Sequence, residues 1–208
     1  MGRSRYLLAA LALAASPAAF AEGFSANIGV MSDYIFRGIK QNDAAAYAGL
    51  DYENSGFYVG TWAAEVGEGL ETDLYFGYEG SVGDFSYGIG YTGYFYTDDF
   101  DDTYHEINLS AGYGIFSLEY SQGRYDNFGG PKLDYGFIAG TLEYEGFYLT
   151  YGTFTKDFDG NYVEAGYGTE VSGFDVGIAA VLSNSDLSGT GSSETALVFT
   201  IGKTFELR

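Results

Sequence analysis

The segment Asp84 to Tyr96, DFSYGIGYTGYFY, constrains the fold more than any other stretch. Phe85, Tyr87, Ile89, Tyr91 and Phe95 occupy one parity, and Ser86, Gly88, Gly90 and Thr92 the other. A period of two marks an extended strand with one bulky face and one small or polar face. The alternation lasts about ten residues, the length a tilted strand needs to cross a hydrocarbon layer. A half-buried strand of a soluble sandwich would alternate in the same way, so the rest of the chain has to separate the two.

The start of the sequence points to export. Arg3 and Arg5 are followed by the apolar run Tyr6 to Ala15 and by Ala19-Phe20-Ala21, a small-x-small cleavage pattern. This predicts a signal peptide over 1–21 and a single domain over 22–208. No later stretch has the roughly eighteen consecutive apolar residues of a membrane helix. Without the leader, 29 acids face seven bases, a net charge of 7 − 29 = −22. Such a surface repels phosphates, so nucleic acid is not expected as a partner. The absence of cysteine excludes disulfides, thiol nucleophiles and thiolate metal sites.

Further alternating segments follow in order. The first starts at Phe24 and is expected to run past Asp33 through Tyr34-Ile35-Phe36-Arg37-Gly38-Ile39, with a polar corner at Lys40 to Asp43. The connections fall into two kinds. Long acidic ones are expected near residues 40, 67, 100, 127, 158 and 188, and short glycine turns near 55, 81, 114, 145 and 172. An antiparallel barrel with loops on one rim and tight turns on the other predicts this sorting, whereas a sandwich does not. The fold class expected is therefore all-β, an antiparallel transmembrane β-barrel of about twelve strands. The 21 tyrosines, 17 phenylalanines and 32 glycines suit interfacial girdles and a tightly curved, crowded lumen.

If the bulky parity faces lipid, the other faces the lumen. Asp33, Asp51, Glu53, Glu71, Asp73, Glu106, Glu119, Glu164, Glu170 and Asp175 fall there, with Arg37 in phase when the first strand is extended. A narrow pore walled by acids is expected to favour cations, because low-dielectric walls focus the field. The competing expectation is a lumen filled by tyrosines and paired charges. For Arg37, pairing with Asp33 or other wall acids competes with a role holding the base of the first long loop.

The blocks Ser32-Asp-Tyr-Ile-Phe-Arg-Gly-Ile39, Gly49-Leu-Asp-Tyr52 and Ser55-Gly-Phe-Tyr-Val-Gly-Thr-Trp62 resemble the TorF family of outer-membrane porins of Gram-negative bacteria. They cover about the first third of the chain beyond the leader. The resemblance implies a small barrel of channel function with no defined substrate. The closing segment, with Leu197, Phe199, Ile201 and Phe205 in step, resembles the assembly signal of outer-membrane barrels, although Lys203 interrupts it and Glu206-Leu-Arg208 extends beyond the aromatic.

Catalytic and metal chemistry find little support. The single histidine, His105, shares the parity of Ile107 and Leu109 and is expected to face lipid near an interface, with no hydrolase motif beside it. No catalytic, cofactor-binding or metal-binding residue is expected. The runs Asp98 to Asp102 and Asp157 to Asn161 lack the spacing of a calcium loop. The expected function is passive diffusion of small hydrophilic solutes across the cell outer membrane. The expected partners are outer-membrane lipid and lipopolysaccharide, the barrel-assembly machinery during biogenesis, and the solutes themselves. A structural or surface-interaction barrel with a plugged lumen is the alternative.

Overall fold

The computed structural model describes residues 22–207, and the signal peptide expected over 1–21 lies outside them. In chain order the strands are β1 (Gly23–Met31), β2 (Tyr34–Phe36), β3 (Ile39–Asn42), β4 (Ala45–Asn54), β5 (Phe57–Val66), β6 (Gly69–Val82) and β7 (Phe85–Tyr96). They continue as β8 (Tyr104–Tyr113), β9 (Phe116–Tyr125), β10 (Leu133–Tyr144), β11 (Phe147–Lys156), β12 (Asn161–Val171), β13 (Phe174–Ser183) and β14 (Glu194–Leu207). Twelve of these close into one antiparallel barrel, while β2 and β3 form a separate hairpin. The ends meet in the ladder from Phe24 opposite Leu207 to Met31 opposite Thr200, and β1 pairs on its other side with β4.

The exterior carries what a water-soluble protein would bury. Phe76 is 57% and Ile89 55% exposed, whereas Glu71, on the opposite parity, is 0% exposed. An apolar belt around a polar-lined interior is stable in hydrocarbon, where the closed ladder also leaves no unpaired backbone edge.

Five connections on one rim are two-residue turns, at 55–56, 83–84, 114–115, 145–146 and 172–173. Ser55 and Gly56 have φ of 53° and 85°, and the pairs at 145–146 and 172–173 repeat the pattern. Positive φ at both central positions gives the primed turn whose twist matches the strands. The opposite rim carries the longer connections 97–103, 126–132, 157–160 and 184–193, together with 32–44. The long loop expected near residue 67 is instead a two-residue turn. Glu65 and Val66 stay in the ladder up to Val66 opposite Gly69, because a charge facing outward at the rim does not end a strand.

Glycine and tyrosine share the lumen face. The Tyr58 hydroxyl occupies the space a side chain at Gly77 or Gly90 would need, the Tyr135 ring that of Gly123, and Tyr47 that of Gly29 and Gly202. Tyrosines therefore lie across neighbouring strands over backbone left bare by glycine, which narrows the lumen without clashes. Gly123→Val should push the Tyr135 ring aside and cost about 2 kcal/mol through overpacking. Gly140→Ala, whose added carbon would meet Phe116 at ordinary contact distance, should be neutral. Thermal midpoints from the gel shift between folded and boiled protein would check this pair, and equal midpoints would contradict the packing.

Candidate functional site: a hairpin seated on an acidic lumen

The first long connection turns inward. Pairing of β1 with β14 ends at Ser32, whose backbone N–H donates to the Phe199 carbonyl at 2.9 Å and whose hydroxyl accepts from the Phe199 N–H at 2.9 Å. The chain then bends at 32–33 and forms the β2–β3 hairpin around Arg37 and Gly38, with φ of 49° and 80°. This corrects the expected continuous strand. Asp33 and Arg37 are on the loop, not on the wall in phase with β1, because the Ser32 side chain takes over the ladder and ends it. Asp33 pairs with Lys40 at 2.7 Å rather than with Arg37. Hydrogen bonds from Lys40 to Asp33 and Asp43 push the lysine up to about 12.

The hairpin is wedged among strands all around the barrel. Ile35 packs in a buried cluster with Tyr135, Phe137, Phe154, Tyr162, Val181 and Val198, from β10 to β14. Tyr34 belongs to a second cluster with Met31, Ala45, Tyr47, Ala64 and Val66, from β1, β4 and β5. Its hydroxyl donates to Glu71 of β6. The Ser183 hydroxyl of β13 donates to the Gly38 carbonyl at 2.5 Å.

Arg37 at the tip is 5% exposed. Its Nη1 lies 2.5 Å from Glu106 Oε1, and its Nη2 lies 2.8 Å from Glu119 Oε1 and donates to the Ser121 hydroxyl at 3.1 Å. The guanidinium carbon sits 4.1 Å from the centre of the Phe137 ring and 4.9 Å from that of Phe36. Glu106, 1% exposed, also accepts from Tyr135 at 2.7 Å, Asn108 at 2.8 Å and Tyr94 at 3.1 Å. A buried ion pair persists only when such hydrogen bonds complete it. The left-handed φ of a non-glycine residue at the tip costs about 1–2 kcal/mol, which these contacts offset.

The remaining acids named from the sequence are spread along the interior. Asp73 is 4% exposed, and its Oδ1 has no hydrogen-bond partner among the described residues, nor does Glu71 Oε2. Asp51 accepts from the Tyr75 hydroxyl, and Glu164 from Tyr148 at 2.5 Å. Glu53, Glu170 and Asp175 lie beside the tight turns. Arg37 is the one buried cation among the described residues. On the turn side of it lies a water-sized cavity of about 20 Å³ bounded by Arg37, Glu119, Ser117, Thr141, Thr150 and Tyr162. His105 faces outward, its Nδ1 2.6 Å from the Tyr91 hydroxyl.

Sequence reasoning missed the inward fold of the first connection, whereas tyrosines in the lumen belonged to its competing expectation. Arg37-Gly38 between apolar neighbours was the available signal, since an X-Gly pair flanked by hydrophobic residues favours a primed hairpin turn.

The Gcw_chp family, described as "Bacterial protein of unknown function (Gcw_chp)", matches residues 12–205. No curated protein matches the sequence significantly. Among solved structures, a "KdgM porin" is similar at a TM-score of 0.57 and 8% identity, covering 88% of this chain and 99% of that one. A chain described as "Unveiling the Mechanism Behind the in-meso Crystallization of Membrane Proteins" is similar at a TM-score of 0.59 and 10% identity, covering 88% and 83%. At these identities the likeness is one of fold.

Removing the guanidinium while leaving Glu106 buried should be costly. Arg37→Met should destabilise the protein by about 3–5 kcal/mol, and the Arg37→Met/Glu106→Gln double variant should recover part of that loss. A thermal unfolding cycle measures the coupling. Strict additivity of the two single changes would remove the pair from the account.

Proposed function

The chain belongs to the Gcw_chp family, and we propose that it is a porin-like channel of the cell outer membrane for small hydrophilic solutes, gated by the inward-folded β2–β3 hairpin. The observation that carries this reading is the way the hairpin is held. Its tip rests on polar contacts from Arg37 and its base on one from Tyr34 to wall acids, and it belongs to a connection outside the barrel ladder, so it can leave without breaking a barrel strand pair. The resemblance to TorF porins and the printed name of the KdgM porin agree with the channel reading.

Cation preference belongs to the same proposal. Asp51, Glu71, Asp73, Glu106, Glu119 and Glu164 are pore-lining candidates, against the single guanidinium of Arg37. With the hairpin withdrawn, their field would concentrate cations and exclude anions. The partners follow from the location: lipid and lipopolysaccharide around the belt, the barrel-assembly machinery during insertion, and small solutes inside. No enzymatic activity and no nucleic-acid partner are proposed.

A second reading has an observation of its own. The two apolar clusters around Tyr34 and Ile35 make a packed core inside the lumen, as expected of a permanently plugged barrel. Planar-bilayer recording separates the two. The channel reading expects small, intermittent conductance with a reversal potential favouring cations, and several-fold larger conductance when residues 34–41 are replaced by a short glycine-serine linker. If the linker variant folds but conducts no more than bare bilayer, the plugged barrel stands. A chloride-selective reversal potential would overturn the cation preference.

A further inference from the structure

We propose that the wall residues holding Arg37 form a binding site for a small organic cation of the guanidinium type, and that Arg37 is its built-in occupant. Apart from Phe36, every contact of the guanidinium belongs to the barrel: Glu106 of β8, Glu119 and Ser121 of β9, and the Phe137 ring of β10. Two carboxylates at the edge of a flat cation and an aromatic ring over its face match the fork-shaped donors and delocalised charge of guanidinium. These walls are rigid sheet, whereas the occupant rides on a loop.

An unpaired carboxylate oxygen beside this seat points to a ligand independently. Asp73 is opposite Tyr94 in the ladder, and Tyr94 donates to Glu106. Asp73 Oδ1 is buried without a hydrogen-bond partner among the described residues. A buried polar atom left unpaired is expensive, so this patch offers more acceptors than the hairpin fills. Among the described residues no three acidic or histidine groups are placed to hold a metal ion, and spaced acceptors beside aromatic faces suit a planar organic cation better than a spherical one.

This inference rests on the channel reading only for how the solute arrives, since binding does not require conduction. The test uses the full-length protein in detergent and in bilayers, with guanidinium chloride at millimolar, non-denaturing concentration against equal sodium chloride. Arg37→Gly empties the site, and glycine accepts the φ of 49° at that position. Guanidinium should raise the thermal midpoint of Arg37→Gly with an apparent affinity about tenfold above that of sodium, as one extra charge-assisted contact would supply. The Arg37→Gly/Glu106→Gln variant should lose this preference. Wild-type protein gives a readout without mutation: guanidinium should compete with Arg37 and lengthen open times relative to sodium. Equal responses to the two salts in folded Arg37→Gly would overturn the site. If that variant does not fold, equal open times in wild type would do so. Guanidinium-specific stabilisation without conductance in any variant would support the site and defeat the channel reading.

Discussion

Hydrocarbon offers no hydrogen bonds, so every backbone group of a spanning strand has to be paired by a neighbouring strand. That requirement makes β1 the closing element: it pairs with β14 on one side and β4 on the other, over nearly its whole length. Residues 32–44 are then surplus to the wall. Ser32 ends the ladder with its own side chain, and the chain released beyond it folds into the lumen rather than away from it. The position of Arg37 is thus a consequence of how the barrel closes.

Inside, the balance is between apolar filling and charge. Tyrosines laid over glycines narrow the lumen, and the hairpin adds Tyr34 and Ile35 to two buried clusters. The same hairpin brings one guanidinium to a wall rich in carboxylates. An ion pair this deep gains little net stability over an apolar substitute, yet losing one partner is severe. Such contacts therefore fix the hairpin in one position more than they deepen the fold. The left-handed φ at Arg37 adds strain that the contacts of the seated guanidinium offset.

Much of this was legible in the residues. Period-two alternation marked the strands, and Ser55-Gly56, Glu145-Gly146 and Ser172-Gly173 marked tight turns, because both follow from local backbone geometry. The lumen side of Glu71, Asp73, Glu106 and Glu119 followed from parity alone. The point at which β1 stops was not legible, since it depends on Ser32 meeting Phe199 across 167 residues of chain. Nor was the turn at 67–68, where outward charge on Glu65 resembled a loop. The partners of Arg37 were hidden because three-dimensional closure, not spacing, brings Glu106 and Glu119 to one point.

The seating of the first connection inside the lumen is the claim on which the rest turns, and thiol protection measures it directly. The chain has no cysteine, so Ile35→Cys and Asp98→Cys each create a single thiol, one in the hairpin core and one on the exposed loop rim. Treated with a membrane-impermeant maleimide in intact outer membranes, position 98 should label readily and position 35 should stay protected until the protein is unfolded. Equal labelling of the two positions would mean that the hairpin lies outside the lumen.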